Sequence, residues 1–269
     1  MLSYEDALAR LLAACEPVPP VDLPLAEAAS LTLAGDLTAR LTQPPFPASA
    51  MDGYAIRWAD MPGPWRVVGE SAAGRGFAGK VRAGETARIF TGAPLPEGAD
   101  TVIVQEEVCR EGDLLTLTGE GPPHTGAHVR KAGKDFSAGE RLIAAGTRLS
   151  PQHLGLAAAS GHGSLAVRRP RVAVIATGDE LVPPGETPQA DQIVSSNGVM
   201  LAALFRAAGA EACDLGIFPD NLDAIGKGLK AASDADLVVT IGGASVGDHD
   251  LVQAALAGPA VPARRLAMA

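Results

Sequence analysis

Arg171-Val172-Ala173-Val174-Ile175-Ala176 runs without a polar side chain after its first residue and ends in Thr177-Gly178-Asp179-Glu180. A continuous apolar run closed by a glycine turn reads as a strand buried on both faces. Residues 196–208 then read as a helix with Leu201, Leu204 and Phe205 on one face, and 212–217 as a second strand. A helix over 221–232, a third strand Asp236-Leu237-Val238-Val239-Thr240-Ile241 and a short helix over 251–256 complete the alternation. Apolar strands separated by helices make a parallel sheet with right-handed crossovers. Ligands of such sheets bind outside the carboxyl ends of the strands. Those ends read TGDE at 177–180, Phe218-Pro219-Asp220, and GGASVGDHD at 242–250. All three carry carboxylates, and the first and third carry glycine.

Upstream the texture changes. Ser3 caps an expected helix carrying Tyr4, Leu8, Leu11 and Leu12, and Pro17-Val18-Pro19-Pro20 breaks it. A second helix is expected from Pro24 to Gly35, with Leu25, Ala28, Ala29 and Leu33 at helical spacing. Gln43-Pro44-Pro45-Phe46-Pro47 reads as a rigid linker. From 48 to 129, short apolar runs at 65–68, 88–90, 101–104 and 114–118 alternate with glycine turns, as strands do. Arg110-Glu111-Gly112-Asp113 is expected to turn a hairpin between the last two. A connector over 130–161 ends in a helix capped by Ser150, with Pro151 at its first position and Gly161 beyond it. The expected fold class is therefore α/β plus β. It divides into a helical and extended linking region (1–44 and 130–169), a β-rich domain (45–129), a parallel-sheet α/β domain (170–257) and a tail (258–269).

Composition narrows the function classes. Against 31 Asp+Glu stand 22 Lys+Arg, a formal charge of −9, and aromatics are 4%. This disfavours nucleic acid and anionic membranes as partners, since both need a basic face and the former often stacking rings. No run of about 18 apolar residues spans a membrane, and no secretory leader opens the chain. Cys15, Cys109 and Cys213 lie far apart and odd in number, and read as reduced, buried thiols of a cytoplasmic protein.

Two motifs compete for attention. Gly74-Arg75-Gly76-Phe77-Ala78-Gly79 matches the dinucleotide fingerprint, but the residues after it lack helical periodicity, so it reads as a β-loop. Gly243-Ala244-Ser245-Val246-Gly247 matches a nucleophile elbow, yet the sole histidine after it is His249, too close along the loop to serve as an independent base. The five histidines show no metal-ligand spacing.

The strand-end constellation survives both. A glycine loop offers backbone N–H groups to a phosphate, and Asp248 and Asp250 in that loop suit a hard divalent cation. Asp179 and Glu180 lie at the neighbouring strand end. One such loop alone is an ordinary turn rich in Asp and Gly; three at one sheet edge favour a site. Arg130, Lys131 and Lys134 beside Asp135 read equally as a local cationic patch or as a solvated charge run.

Five segments in order and spacing, SAMDGYA (49–55), TGAPLPEGAD (91–100), TGDEL (177–181), SSNG (195–198) and GGASVGDHD (242–250), resemble the molybdopterin molybdenumtransferases, the E domain of gephyrin included. The resemblance runs from about residue 3 to about residue 257. It implies a molybdopterin-binding-like α/β domain and a Mg²⁺-dependent insertion of molybdate into adenylylated molybdopterin, with release of AMP. It places the functional acids on Asp52, Glu180, Asp220 and Asp250, with Thr91 facing them. Asp135, Ser196, Asn197, Gly242, Gly243, Ser245 and Gly247 are the implied cofactor-binding residues, and Glu180, Asp248 and Asp250 the implied Mg²⁺ ligands. It further implies a homodimer, in which Asp52 and Thr91 act in trans, and a molybdopterin adenylyltransferase as partner. Relatives continue past residue 257 into a lysine loop, whose lysines are the expected partners of molybdate, and into a C-terminal β-domain. Neither is expected in residues 258–269, and the alternative reading is therefore a non-catalytic module that binds pterin nucleotide.

Overall fold

A computed structural model describes residues 3–242 and 251–256. The chain forms two compact units, one from residues 38–142 and 156–162, the other from 1–37, 143–155 and 163–269.

The first unit is built on a six-stranded mixed sheet. Its spatial order is Thr101–Val104, Gly53–Ile56, Glu85–Ile89, Trp65–Ser71, Leu114–Leu117, Val108–Glu111. Trp65–Ser71 runs parallel to Glu85–Ile89, and the other neighbours are antiparallel. Period-two alternation sorts the side chains. Tyr54, Ile56, Trp65, Ile103 and Leu115 form one buried cluster, and Ala55, Ile89, Ala93 and Val102 another. One expectation is corrected here, and one strand is added. The hairpin turned at residues 110–113 joins Val108–Glu111 to Leu114–Leu117, whereas Thr101–Val104 pairs with Gly53–Ile56. That last strand overlaps the end of the SAMDGYA segment, and its four buried residues are too few for periodicity to reveal. Gly74 has a positive φ, and Phe77 packs over Gly69 and Gly79, so the G-x-G-x-x-G segment is a loop with no helix after it.

The second unit holds a three-stranded parallel sheet, Glu211–Phe218, Arg171–Thr177, Leu237–Ile241, with the Arg171–Thr177 strand in the centre. Both faces are covered. Ala173, Ile175 and Val238 pack with Ile225 and Leu229 of the helix Leu222–Ala231 and with Val252 of the helix Leu251–Leu256. On the other face Val172, Val174 and Val239 pack with Ala202, Leu201 and Phe205 of the helix Asn197–Ala207. Leu204, expected on that apolar face, is 60% exposed. The chain leaves the central strand over one face and returns over the other, which opens the crevice of a topological switch at the carboxyl ends. Asn221 caps Leu222–Ala231 by accepting from the Ala224 N–H at 2.9 Å.

The same unit contains an antiparallel trio in which Ser164–Arg168 lies between Val21–Pro24 and Thr32–Leu33. This overturns the helix expected over residues 24–35. One 3-10 turn, Leu25–Glu27, survives, Ser30 adopts a left-handed φ of 64°, and the buried Leu31 and Leu33 flank strand pairing. Pairing with a strand some 140 residues distant overrides local helical spacing. The first helix, Tyr4–Ala14, forms as expected, its Ser3 Oγ accepting from the Asp6 N–H at 3.1 Å. Pro151–Ala159 is helical, with Ser150 Oγ accepting from the His153 N–H. The three cysteines are free but exposed, not buried.

Candidate functional site

At the carboxyl edge of the parallel sheet a cavity of about 430 Å³ is lined by Gly178, Asp179, Leu181, Pro183, Pro184, Ser195, Asp214, Gly216, Ile217 and Pro219. Backbone contacts fix its rim. The Gly178 N–H donates to Phe218 O at 3.3 Å, and Asp179 Oδ1 accepts from the Asp220 N–H at 3.1 Å, so the first two strand ends are tied together. Gly178 has a φ of 152°, and a methyl group there would lie 2.5 Å from Glu180 Oε2. The Glu180 carboxylate therefore folds back over Gly178. Its backbone carbonyl accepts from the Ile193 N–H at 2.8 Å, which pairs Leu181–Val182 with Ile193–Val194 and brings Ser195 to the cavity. Ser196 and Asn197 follow directly, at the start of the helix Asn197–Ala207. At the third strand end, Gly242 has a φ of 95°, and a side chain there would meet Thr177 O at 2.6 Å.

Asp214 is a lining residue that the sequence reading missed. Its Oδ1 accepts from the Gly216 N–H at 2.9 Å, and its carboxylate occupies the space where a side chain on Gly198 would stand, 2.5 Å from that methyl position. The signal available was an acidic residue inside the otherwise apolar run Ala212-Cys213-Asp214-Leu215-Gly216-Ile217-Phe218.

In the mixed-sheet unit, Asp52 and Thr91 meet. Asp52 Oδ1 accepts from the Thr91 N–H at 2.8 Å and from the Thr91 hydroxyl at 2.9 Å. These two bonds, the backbone one foremost, hold the Asp52 carboxyl below the ordinary 3.8, with Arg88 adding attraction. Local geometry builds the turn: Ser49 Oγ donates to Met51 O at 2.6 Å, and Asp52 O accepts from the Gln105 N–H at 3.1 Å. Gly53 must be glycine, because a methyl group there would lie 1.9 Å from Ile103 O. Asp135 is bound by Arg130 through both carboxylate oxygens, at 2.8 and 2.9 Å. That ion pair occupies one of the cations expected to form a patch.

Glu180, Asp220, Ser196, Asn197 and Gly242 thus lie in the α/β unit, and Asp52, Thr91 and Asp135 in the mixed-sheet unit. Gly243, Ser245, Gly247, Asp248 and Asp250 lie outside the described residues, as does the nucleophile-elbow motif. Among the described residues no three His, Cys, Asp or Glu side chains form a group that could hold a metal ion. No helix among them is long and apolar enough to cross a membrane.

Known proteins match the chain in two segments. Residues 2–161 match the MoeA N-terminal region (domain I and II), and residues 173–261 match a probable molybdopterin binding domain. The chain belongs to the MoeA family. It is 41% identical over 235 residues to a molybdopterin molybdenumtransferase of Nostoc sp., covering 84% of this chain and 53% of that protein. It is 38% identical over 259 residues to molybdopterin molybdenumtransferase 2 of Mycobacterium tuberculosis, covering 93% and 63%. A crystal structure of the molybdopterin biosynthesis MoeA protein from Pyrococcus horikosii superposes with a TM-score of 0.81 at 32% identity, covering 95% of this chain and 66% of that one. The chain therefore spans a little over half to about two thirds of these family members.

Proposed function

We propose that this chain acts in molybdenum cofactor biosynthesis as a molybdopterin molybdenumtransferase, inserting molybdate into adenylylated molybdopterin and releasing AMP. The observation that carries the reading is the carboxylate-lined cavity at the carboxyl edge of the parallel sheet, in a chain of the MoeA family. Its Leu181, Pro183, Pro184 and Ile217 walls suit a flat ring, and the glycine-rich sequence that follows Gly242 is of the kind whose backbone N–H groups take phosphate oxygens. In this reading residues 170–257 hold the pterin nucleotide and residues 45–129 supply Asp52 and Thr91. Asp52, Thr91, Glu180, Asp220 and Asp250 are the catalytic set, while Asp135, Ser196, Asn197, Gly242, Gly243, Ser245 and Gly247 orient the nucleotide.

The donor set in this reading is that of a hard cation: Glu180 beside the cavity, joined by Asp248 and Asp250 of the GGASVGDHD sequence segment, would offer oxygen donors of the kind Mg²⁺ prefers. Mg²⁺ bound there supplies positive charge against phosphoryl oxygens. Thr91 holds the Asp52 carboxyl below its ordinary range, so at neutral pH it serves as a fixed negative charge and hydrogen-bond acceptor and not as a proton donor. We read the functional form as a cytoplasmic homodimer in which Asp52 and Thr91 serve the partner's cavity, with a molybdopterin adenylyltransferase delivering the nucleotide. No finding favours a non-catalytic pterin-binding module over the transferase.

The test is calorimetric binding of adenylylated molybdopterin with and without Mg²⁺, joined to AMP release in the presence of molybdate. Asp250→Asn is expected to weaken Mg²⁺-dependent binding by about ten-fold or more, since a bridging ion loses a charged ligand. Equal affinity in the variant removes the 242–250 loop from the site. Absence of both binding and AMP release in the folded wild-type chain refutes the transferase reading.

A further inference from the structure

Arg88 stands on the strand Glu85–Ile89, directly across from Tyr54 in the register of the mixed sheet. Its side chain is half-buried, and its two terminal nitrogens each make a hydrogen bond. Nη1 donates to Gly53 O at 3.2 Å, and Nη2 donates to Gln105 Oε1 at 2.5 Å. Gln105 in turn donates its backbone N–H to Asp52 O at 3.1 Å, while its Nε2 donates to Glu106 Oε1 at 3.1 Å. That second bond orients the amide, leaving Oε1 to face Arg88. The carbonyls of two consecutive residues, Asp52 and Gly53, are thus held by Arg88 and by the glutamine Arg88 grips. The guanidinium carbon also lies 5.0 Å from the centroid of the Tyr54 ring and 4.8 Å from that of Phe90.

Phe90 immediately precedes Thr91, and Gly53 immediately follows Asp52. One planar cation therefore touches the neighbour of each member of the hydrogen-bonded pair. We propose that Arg88 is a positioning residue, holding the Asp52 turn and the Thr91 loop in the one arrangement that lets Thr91 bond Asp52 Oδ1. This rests on the reading of Asp52 and Thr91 as catalytic residues. Arginine is required in place of lysine, because two carbonyl-type acceptors and two ring faces call for a flat fork and not a point charge. The positive charge beside Asp52 also favours its ionised form.

The experiment uses the full chain with Arg88→Lys and Arg88→Met, followed by carboxyl-detected NMR titration of Asp52 and by hydrogen exchange at the Thr91 amide. Tryptophan fluorescence in urea checks folding of each variant. With Arg88→Met, Asp52 is expected to titrate at higher pH and the Thr91 amide to lose protection by about ten-fold or more, as an opened local hydrogen bond does. Arg88→Lys is expected to restore only the smaller, charge-borne part of the Asp52 titration and not the Thr91 protection. A folded Arg88→Met chain with unchanged titration and protection overturns the proposal. If that variant fails to fold, Arg88→Lys decides alone, and wild-type protection at Thr91 overturns it. Asp52→Asn separates the two readings: AMP release equal to wild type sinks the catalytic role of Asp52 and leaves the Arg88 measurements standing.

Discussion

Gly53→Ala is the substitution whose cost can be worked most directly from the structure. Gly53 lies in an interior strand, paired on one side with Glu85–Ile89 and on the other with Thr101–Val104. The added methyl group would lie 1.9 Å from Ile103 O and 2.9 Å from its carbonyl carbon, about 1.5 Å short of ordinary contact at 3.4 Å. Both offending atoms are backbone, so no rotamer relieves the clash; the Thr101–Val104 strand has to move away. An outward shift of that size stretches the neighbouring ladder bonds beyond hydrogen-bonding range. Val102 and Ile103 are buried, so water does not replace what is lost. One or two buried groups left unsatisfied, at about 1–3 kcal/mol each, together with overpacking strain, give an expected destabilisation of about 3 kcal/mol or more. Urea unfolding followed by tryptophan fluorescence reports this unit selectively, because the chain's two tryptophans, Trp58 and Trp65, both belong to it. With a denaturant slope of about 1–3 kcal/mol per molar, the midpoint is expected to fall by about 1 M or more. A midpoint within about 0.3 M of wild type would falsify the steric argument and the strand register behind it.

Three further outcomes follow from the same geometry. Thr91→Val keeps the backbone bond to Asp52 but removes the hydroxyl bond, so Asp52 is expected to titrate higher than in wild type. Its carboxyl is depressed in the folded chain, so its contribution to stability is present above pH about 4 and is lost as pH falls through the folded value. Comparison of urea midpoints at pH 5.5 and pH 3 should show a shallower acid loss in Thr91→Val, and superimposable Asp52 titration curves would refute the assignment. Gly198→Ala drives its methyl group against Asp214 Oδ2, the end of a side chain that can rotate, so stability should change by less than about 1 kcal/mol while pterin-nucleotide affinity drops several-fold. Asn221→Ala removes the cap of Leu222–Ala231 and is expected to cost about 1 kcal/mol, read as a lower thermal midpoint by circular dichroism at 222 nm; an unchanged midpoint would discount the cap.

The parallel sheet was legible because its strands, Arg171–Thr177 and Leu237–Ile241, are buried on both faces, so apolarity alone marks them. Two helices were legible through their caps, at Ser3 and Ser150. Residues 24–35 were misread because a segment rich in Leu and Ala satisfies helical spacing, while its real partner, Ser164–Arg168, lies far away in the chain. Gly53–Ile56 is absent from the strands expected from sequence for a related reason: four residues buried on both faces between a turn and a 3-10 helix carry no period. At the site, Asp179, Glu180 and Asp220 could be grouped from the sheet rule, since the carboxyl ends of parallel strands share one edge. Asp214 and Arg88 could not. Each matters through a contact that only the folded chain makes, with Gly198 in one case and with Gly53 and Phe90 in the other.

The antiparallel trio also bears on how the chain is made. Val21 pairs with Val167 and Leu33 with the same residue, so the first strands emerge from a ribosome long before their partner exists. At about 5–20 residues per second the wait is roughly 7–30 s. Nearly all of the mixed-sheet unit is synthesised within that interval and has its own buried clusters to close on. Residues 21–33 meanwhile present unpaired strand edges, the form of backbone that adds to other chains. A nascent chain stalled before Ser164, or a product cleaved there, is thus the species most exposed to intermolecular strand addition, and chaperone demand should peak over that stretch of synthesis.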